Sequence, residues 1–154
     1  MVETEAGNEI ERLYLRDGAR LWRSLLGFTG DPELAKDAMA EAFAQAIGRG
    51  DAIAHQDRWV WRAAFRIASG EMKQRSRRMP LKEGSYEMAE PATDLLRILQ
   101  QLSPRQRAVI ILHFYAGYPT REVGAILGCT AGTVRMHITQ CRRRLRRLLE
   151  MEDG

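Results

Sequence analysis

The chain has 154 residues, 45% of them hydrophobic and 29% charged, with a formal net charge of +4; this composition excludes a disordered polymer and suits one domain or two small ones of about 50–80 residues. No apolar run approaches the roughly 20 residues that span a bilayer, and the acidic start MVETEAGNEIER has no apolar signal core, so a cytoplasmic protein without membrane insertion is expected. Charge is unevenly placed: residues 1–50 carry six Lys/Arg against nine Asp/Glu, 51–80 seven against three, and 81–154 eleven against eight, which assigns different partners to different parts of the molecule.

Helical period dominates. Ile10, Leu13, Tyr14, Leu21, Trp22, Leu25 and Leu26 recur at three and four, as one buried face of a first helix does. A second helix opens with Asp31 as N-cap and Pro32 at the first helical position. Its apolar stripe runs from Leu34/Ala35 to Ala46/Ile47, and Gly48 is its expected stop. Glu33, Asp37 and Glu41 stand at i, i+4 and i+8 and share one face. Like charges at that spacing cost a helix a few tenths of a kcal/mol per pair. The stripe is therefore a candidate dock for a basic protein partner, with a plain solvated face as the alternative.

A third helix is expected from about Asp57 to Arg78. Val60, Ala64, Ile67 and Ala68 give it an apolar seam, while Arg58, Arg62 and Arg66 form a basic stripe with Trp61 and Phe65 beside it. Trp59 belongs to the same aromatic group, and Lys73 and Arg75 extend the basic run. Rings beside guanidiniums suit single-stranded nucleic acid, because bases stack while arginines hold phosphates. Core packing is the alternative for any single ring.

Met79 to Thr93 (MPLKEGSYEMAEPAT) has two prolines, a glycine and no periodicity, and is expected to be a flexible linker. DLLRILQQL then predicts a short helix. In SPRQRAVIILHFYAG, Ser103, Pro104 and Gln106 form a capping-box pattern, and Gly117 is the terminator. No alternating run of β-branched residues occurs, so the expected fold is all-α, two small helical domains joined by the linker.

The stretch from Thr120 onward predicts a helix-turn-helix. Val123 and Leu127 give the first helix its apolar face, Gly124 sits where the second helix crosses closely, and Gly128 falls at the turn. Thr130 caps the second helix, whose seam is Val134, Ile138, Cys141, Leu145 and Leu148. Thr130, Thr133, Arg135, Met136, His137, Thr139, Gln140, Arg142 and Arg143 are then the candidates for reading a duplex groove. Residues 131–147 hold six arginines and no acid; Arg144, Arg146 and Arg147 suit phosphates better than bases. A helical hairpin with a solvated basic face is the alternative.

A Gly-rich phosphate loop, a Ser/His/Asp set and an HExxH motif do not occur in the sequence. Cys129, His137 and Cys141 are the one conceivable metal cluster, and Cys141 falls on the buried seam. No catalytic residue, metal or cofactor is expected, and the protein reads as a non-enzyme.

The order AKDAMAEAF, WVWRAAFRIA with its basic follow-on, a linker, LSPRQRAVIILHFYAG and REVGAILGCTAGTVRMHITQCRRRL resembles the extracytoplasmic-function (ECF) sigma factors of bacterial RNA polymerase, which keep regions 2 and 4. The resemblance implies a region-2 domain over 1–78, a linker over 79–93, a region-4 domain over 94–150 and a disordered tail over 151–154. It implies that Glu33, Asp37 and Glu41 bind the polymerase clamp helices. Arg58, Trp59, Trp61, Arg62, Phe65, Arg66, Lys73 and Arg75 are then the set that opens the −10 promoter element, and the helix from Ala131 reads the −35 element. Core RNA polymerase and promoter DNA are the implied partners, and an anti-sigma factor a further one. Ala40, Arg66 and Gly70 depart from the family's more common Gln, Asn and Asp. Two other readings of the residues stand beside this one: a dimeric helix-turn-helix regulator acting without polymerase, and a protein-binding helical module with no DNA affinity.

Overall fold

The computed structural model describes residues 5–78 and 90–153, and among them every regular element is helical. The helices are α1 (Glu5–Thr29), α2 (Pro32–Arg49), α3 (Gln56–Arg78), α4 (Glu90–Gln100), α5 (Pro104–Ile110), α6 (Thr120–Leu127) and α7 (Ala131–Asp153). A single 3₁₀ turn follows α2 at Gly50–Ala52, and a π-helical segment, Ile111–Tyr115, continues α5. No described helix is long and apolar enough to cross a membrane.

The expected caps are in place. Asp31 accepts from the backbone N–H of Glu33 and Leu34 at 3.0 and 3.2 Å. Ser103 accepts from Gln106 N–H while the Gln106 side chain accepts from Ser103 N–H, both at 3.3 Å. Thr130 Oγ1 accepts from Thr133 N–H at 3.1 Å. Each satisfies donors that a helix start leaves without partners. Four details differ from the sequence reading. The second helix stops at Gly50, whose φ of +54° suits glycine, and passes through Gly48. Tyr14 is half-exposed and lies edge-on to Phe43 at 5.3 Å. α4 begins at Glu90, so the last four residues of the expected linker are helical, with Pro91 tolerated in the first turn; residues 79–89 lie outside those described. The expected disordered tail is helical through Asp153.

One contiguous core joins both halves of the chain. α1, α2 and α3 pack together, and α5, α6 and α7 form the helix-turn-helix half. The halves meet where α6 lies on α3, and where α4, α5 and the π-helical segment lie on α1. Polar side chains close this seam. Arg107, buried at the base of α5, donates to Phe28 O at 2.7 Å and Leu102 O at 3.1 Å, satisfying carbonyls that helix ends leave open. Burial lowers its pKa to about 10, so it stays charged at neutral pH. Gln100 donates to Gly27 O, and Arg20 to Ala116 O.

Cys141 is fully buried in the α7 seam and its thiol donates to Gln106 O. Burial pushes its pKa up to about 11. At pH 8 about one part in a thousand of such a thiol is thiolate, so alkylation is expected to modify one thiol per chain, Cys129, and reach Cys141 only on unfolding. Mass spectrometry after a timed iodoacetamide pulse checks this; equal labelling of both cysteines refutes the packing.

Candidate nucleic-acid interface

The turn between α6 and α7 is set by two glycines. A Cβ on Gly124 would lie 2.5 Å from Cys129 O, so only hydrogen fits between the first helix and the turn. Gly128 ends α6 in the left-handed region, φ +76°, and its N–H donates back to Gly124 O at 2.8 Å. Arg105 completes the end by donating to Leu127 O at 2.9 Å. The second helix is held by Val134, Ile138 and Cys141, all buried.

That anchoring turns Arg135, Met136, Thr139, Gln140 and Arg143 outward on one exposed face of α7. Thr130 is exposed but spends its hydroxyl on the cap, and Thr133 is half-buried against it at 3.0 Å. Thr139 donates to Arg135 O within its own helix, and Gln140 meets Gln106 at 3.4 Å. Arg142 is exposed and lies over the Phe114 ring at 5.8 Å. His137 is half-buried with Nδ1 enclosed and unpartnered, so it faces packing and not the exposed face. The exposed face of α7 therefore carries Arg135, Met136, Gln140 and Arg143, with Thr139 beside them.

On α3 the structure divides the expected stacking group. Trp61 and Phe65 are core: Trp61 is 0% and Phe65 2% exposed. Phe65 packs on Phe28 at 5.0 Å and parallel to Trp61 at 6.4 Å. Neither ring is open to a base in this arrangement, which corrects the reading of those two residues. Trp59 is half-exposed, and Arg49 lies over its face at 5.4 Å. Arg49, Trp59, Arg62, Ala63 and Arg66 line an open cavity of about 190 Å³ whose charged side chains are all arginine. Arg49, the last residue of α2, carries no periodic signal; the turn through Gly50–Ala52 brings it against α3. Arg58 is committed elsewhere, its Nη1 lying 3.2 Å from Glu122 Oε2. Lys73 is exposed, and Arg75 is exposed and paired with Asp31.

Glu33, Asp37 and Glu41 are exposed along α2, opposite its buried stripe. Glu41 accepts from Gln45 at 3.0 Å. The three acids lie along α2, and the arginine cavity lies between the end of α2 and α3. A third surface is apolar: Trp22, Leu26, Leu95, Leu99, Phe114 and Tyr115 line much of a groove of about 540 Å³ between α1, α4 and the π-helical segment. Among the described residues, no three His, Cys, Asp or Glu side chains converge as metal ligands.

Residues 98–147 match the family described as Sigma-70, region 4. The chain is similar to the ECF RNA polymerase sigma factor SigL of Mycobacterium tuberculosis, 30% identical over 154 residues, covering 90% of this chain and 87% of that protein. It is also similar to the RNA polymerase sigma-E factor of Streptomyces avermitilis, 29% identical over 144 residues, covering 86% and 80%. In fold it is similar to the sigma factor RpoE of Bartonella quintana, solved in complex with the anti-sigma factor NepR, with a TM-score of 0.76 at 21% identity, covering 92% and 97%. CnrH, solved in complex with the cytosolic domain of CnrY, gives a TM-score of 0.74 at 21% identity, covering 92% and 88%.

Proposed function

The chain belongs to the ECF sigma factors of bacterial RNA polymerase, and from that premise we propose how its three surfaces divide the work of starting transcription. The exposed acidic face of α2, Glu33, Asp37 and Glu41, docks core polymerase. The Arg49–Trp59–Arg62–Arg66 cavity, with Lys73 and Arg75 further along α3, holds the opened −10 strand: one half-exposed indole stacks a base while guanidiniums grip the adjoining phosphates. The outward face of α7 reads the −35 duplex, Arg135 and Gln140 donating to base edges and Met136 meeting thymine methyls. The observation that carries the reading is α7: a helix anchored on one side by a buried seam, with Arg135, Thr139, Gln140 and Arg143 exposed around Met136 on the other. The proposed role is non-enzymatic and cytoplasmic.

The deciding experiment adds the chain to core polymerase and scores run-off transcription from genomic fragments. Specific transcripts are expected. Duplex binding by the chain alone as a dimer on palindromic sites, with no transcript from any fragment, establishes the polymerase-independent regulator instead. Glu41→Lys reverses the charge at the C-terminal end of the acidic face without touching the buried stripe of α2. It is expected to weaken core-polymerase binding about tenfold or more while duplex binding by the chain survives; unchanged polymerase affinity removes Glu41 from the dock. The apolar groove over Trp22, Leu95 and Phe114 is the surface this chain offers to an anti-sigma partner of the kind present with RpoE of Bartonella quintana.

A further inference from the structure

We propose that the arginine cavity between α2 and α3 also binds a compact polyphosphate, the di- or triphosphate end of a nucleotide or its inorganic counterpart, which competes there with the opened strand. The inference rests on the strand-holding reading above and adds a small-molecule regulator of the same site.

Three observations carry it. First, the cavity arginines lack the acids that their neighbours have. Arg58 lies beside Glu122, and Arg75 is paired with Asp31. Arg49, Arg62 and Arg66 have no acidic partner among the ion pairs of the described residues. Second, the three converge. Arg62 and Arg66 stand one turn apart on one face of α3, and Arg49 arrives from the end of α2, ahead of the turn at Gly50–Ala52. A cation at a helix C-terminus is favourable in itself, which accounts for Arg49 but not for the two that share its cavity. Third, Ala63 is buried and lines the cavity with a single methyl, so no longer side chain fills the space. A recess walled by one sign of charge focuses its field and draws counter-ions inward.

Charge and size then select the ligand. A guanidinium fork takes phosphate oxygens two at a time. A nucleic-acid strand spreads its charge, one phosphate for about 3.4 Å of rise, and a single backbone phosphate leaves most of a three-arginine cavity uncompensated. A diphosphate end brings about three negative charges on adjacent phosphates. The cavity volume is about 190 Å³, below the roughly 300–1,000 Å³ that encloses a whole drug-sized ligand. A phosphate chain fits inside, and an attached base stays at the rim. Trp61 is not its platform, being buried against Tyr118 at 5.2 Å. Trp59 is half-exposed at the cavity under Arg49, and a base joins that stack. Occupied in this way, the cavity has no free guanidinium left for the strand.

The test titrates the full chain by calorimetry, without divalent metal and at about 0.15 M salt to suppress diffuse binding. Its probes are inorganic tripolyphosphate, orthophosphate and ATP. Tripolyphosphate is expected to bind at one site per chain, at least about tenfold more tightly than orthophosphate. Arg49→Ala, Arg62→Ala and Arg66→Ala are each expected to weaken it about fivefold or more, with unchanged helical circular dichroism. Arg77, exposed on the same helix outside the cavity, is the control, and Arg77→Ala is expected to bind as wild type does. Equal losses in Arg77→Ala and Arg62→Ala, or equal affinity for the two inorganic anions, overturn the site in favour of a diffuse basic surface. ATP tighter than tripolyphosphate, with the margin lost in Trp59→Leu, identifies a nucleotide as the ligand; equal affinities identify the phosphate chain alone. Competition is read with a labelled 12-nucleotide single DNA strand of mixed sequence, which tripolyphosphate is expected to displace. A strand retained at saturating tripolyphosphate overturns the competition. Strand binding lost in Arg62→Ala, with no polyphosphate site in the wild type, overturns the proposal and leaves the promoter reading standing. Polyphosphate binding with no strand binding overturns the strand-holding role of the cavity, and the competition with it.

Discussion

Gly124→Ala is expected to destabilise the helix-turn-helix by about 1–3 kcal/mol and to abolish duplex binding at the temperatures where wild type binds. The added methyl meets Cys129 O at 2.5 Å, and behind it the Thr130 carbonyl carbon and the Ala131 nitrogen at 3.4 and 3.5 Å. All three are backbone atoms of the turn, so no rotamer change relieves the clash. Moving the turn also strains the two bonds that define it, because Gly128 N–H and Cys129 N–H both donate to Gly124 O. Alanine regains up to ~1 kcal/mol of helix propensity, which offsets part of an overpacking cost of about 1–3 kcal/mol or more. Gly132→Ala is the matched control: it also replaces a glycine in a helix of the same unit, but meets only side-chain atoms at 3.8 and 3.9 Å. It is expected to be neutral or stabilising. Urea melts of the two variants decide the matter; equal midpoints refute the close approach at Gly124.

The local chemistry of this fold was legible from residues a few positions apart. Asp31–Pro32, Ser103–Pro104–Gln106 and Thr130 announce helix starts because a short polar side chain three residues ahead of a bare N–H has one obvious partner. Gly124 and Gly128 announced the turn for the same local reason. Contacts between distant segments were not legible. The arginine stripe of α3 has a period, but a period does not say that α6 covers its first member or that Tyr118 buries Trp61. Arg107 sits among polar residues in SPRQRAV and reads as exposed, since arginine is rarely buried; only the carbonyls at Phe28 and Leu102 explain its place inside. Arg49 becomes part of a cavity through a turn that its own neighbours do not encode. The π-helical segment escapes a 3.6-residue analysis, because a shift of one residue in hydrogen bonding leaves the apolar pattern of IILHFY almost unchanged.

Arg135→Ala is expected to cost about 1–3 kcal/mol of discrimination between the −35 sequence and a scrambled duplex, roughly a 5- to 150-fold loss in specific affinity. Arg135 stands in the first turns of α7, where a recognition helix enters the major groove, and it has no acidic partner among the ion pairs of the described residues. Nothing on α7 therefore competes with a base for its guanidinium, and its exposure allows the bidentate approach that guanine accepts. Arg146 is the contrast. It lies three turns further along, near the end of the basic run, where a recognition helix that enters the groove by its first turns has left the groove floor. Arg146→Ala is expected to lower affinity for promoter and scrambled duplex alike and to reduce the salt slope by about one. Titrating both variants against both duplexes at two salt concentrations separates the roles. Sequence-independent loss in Arg135→Ala makes it a phosphate contact, and places base reading on Met136, Gln140 and Arg143 alone.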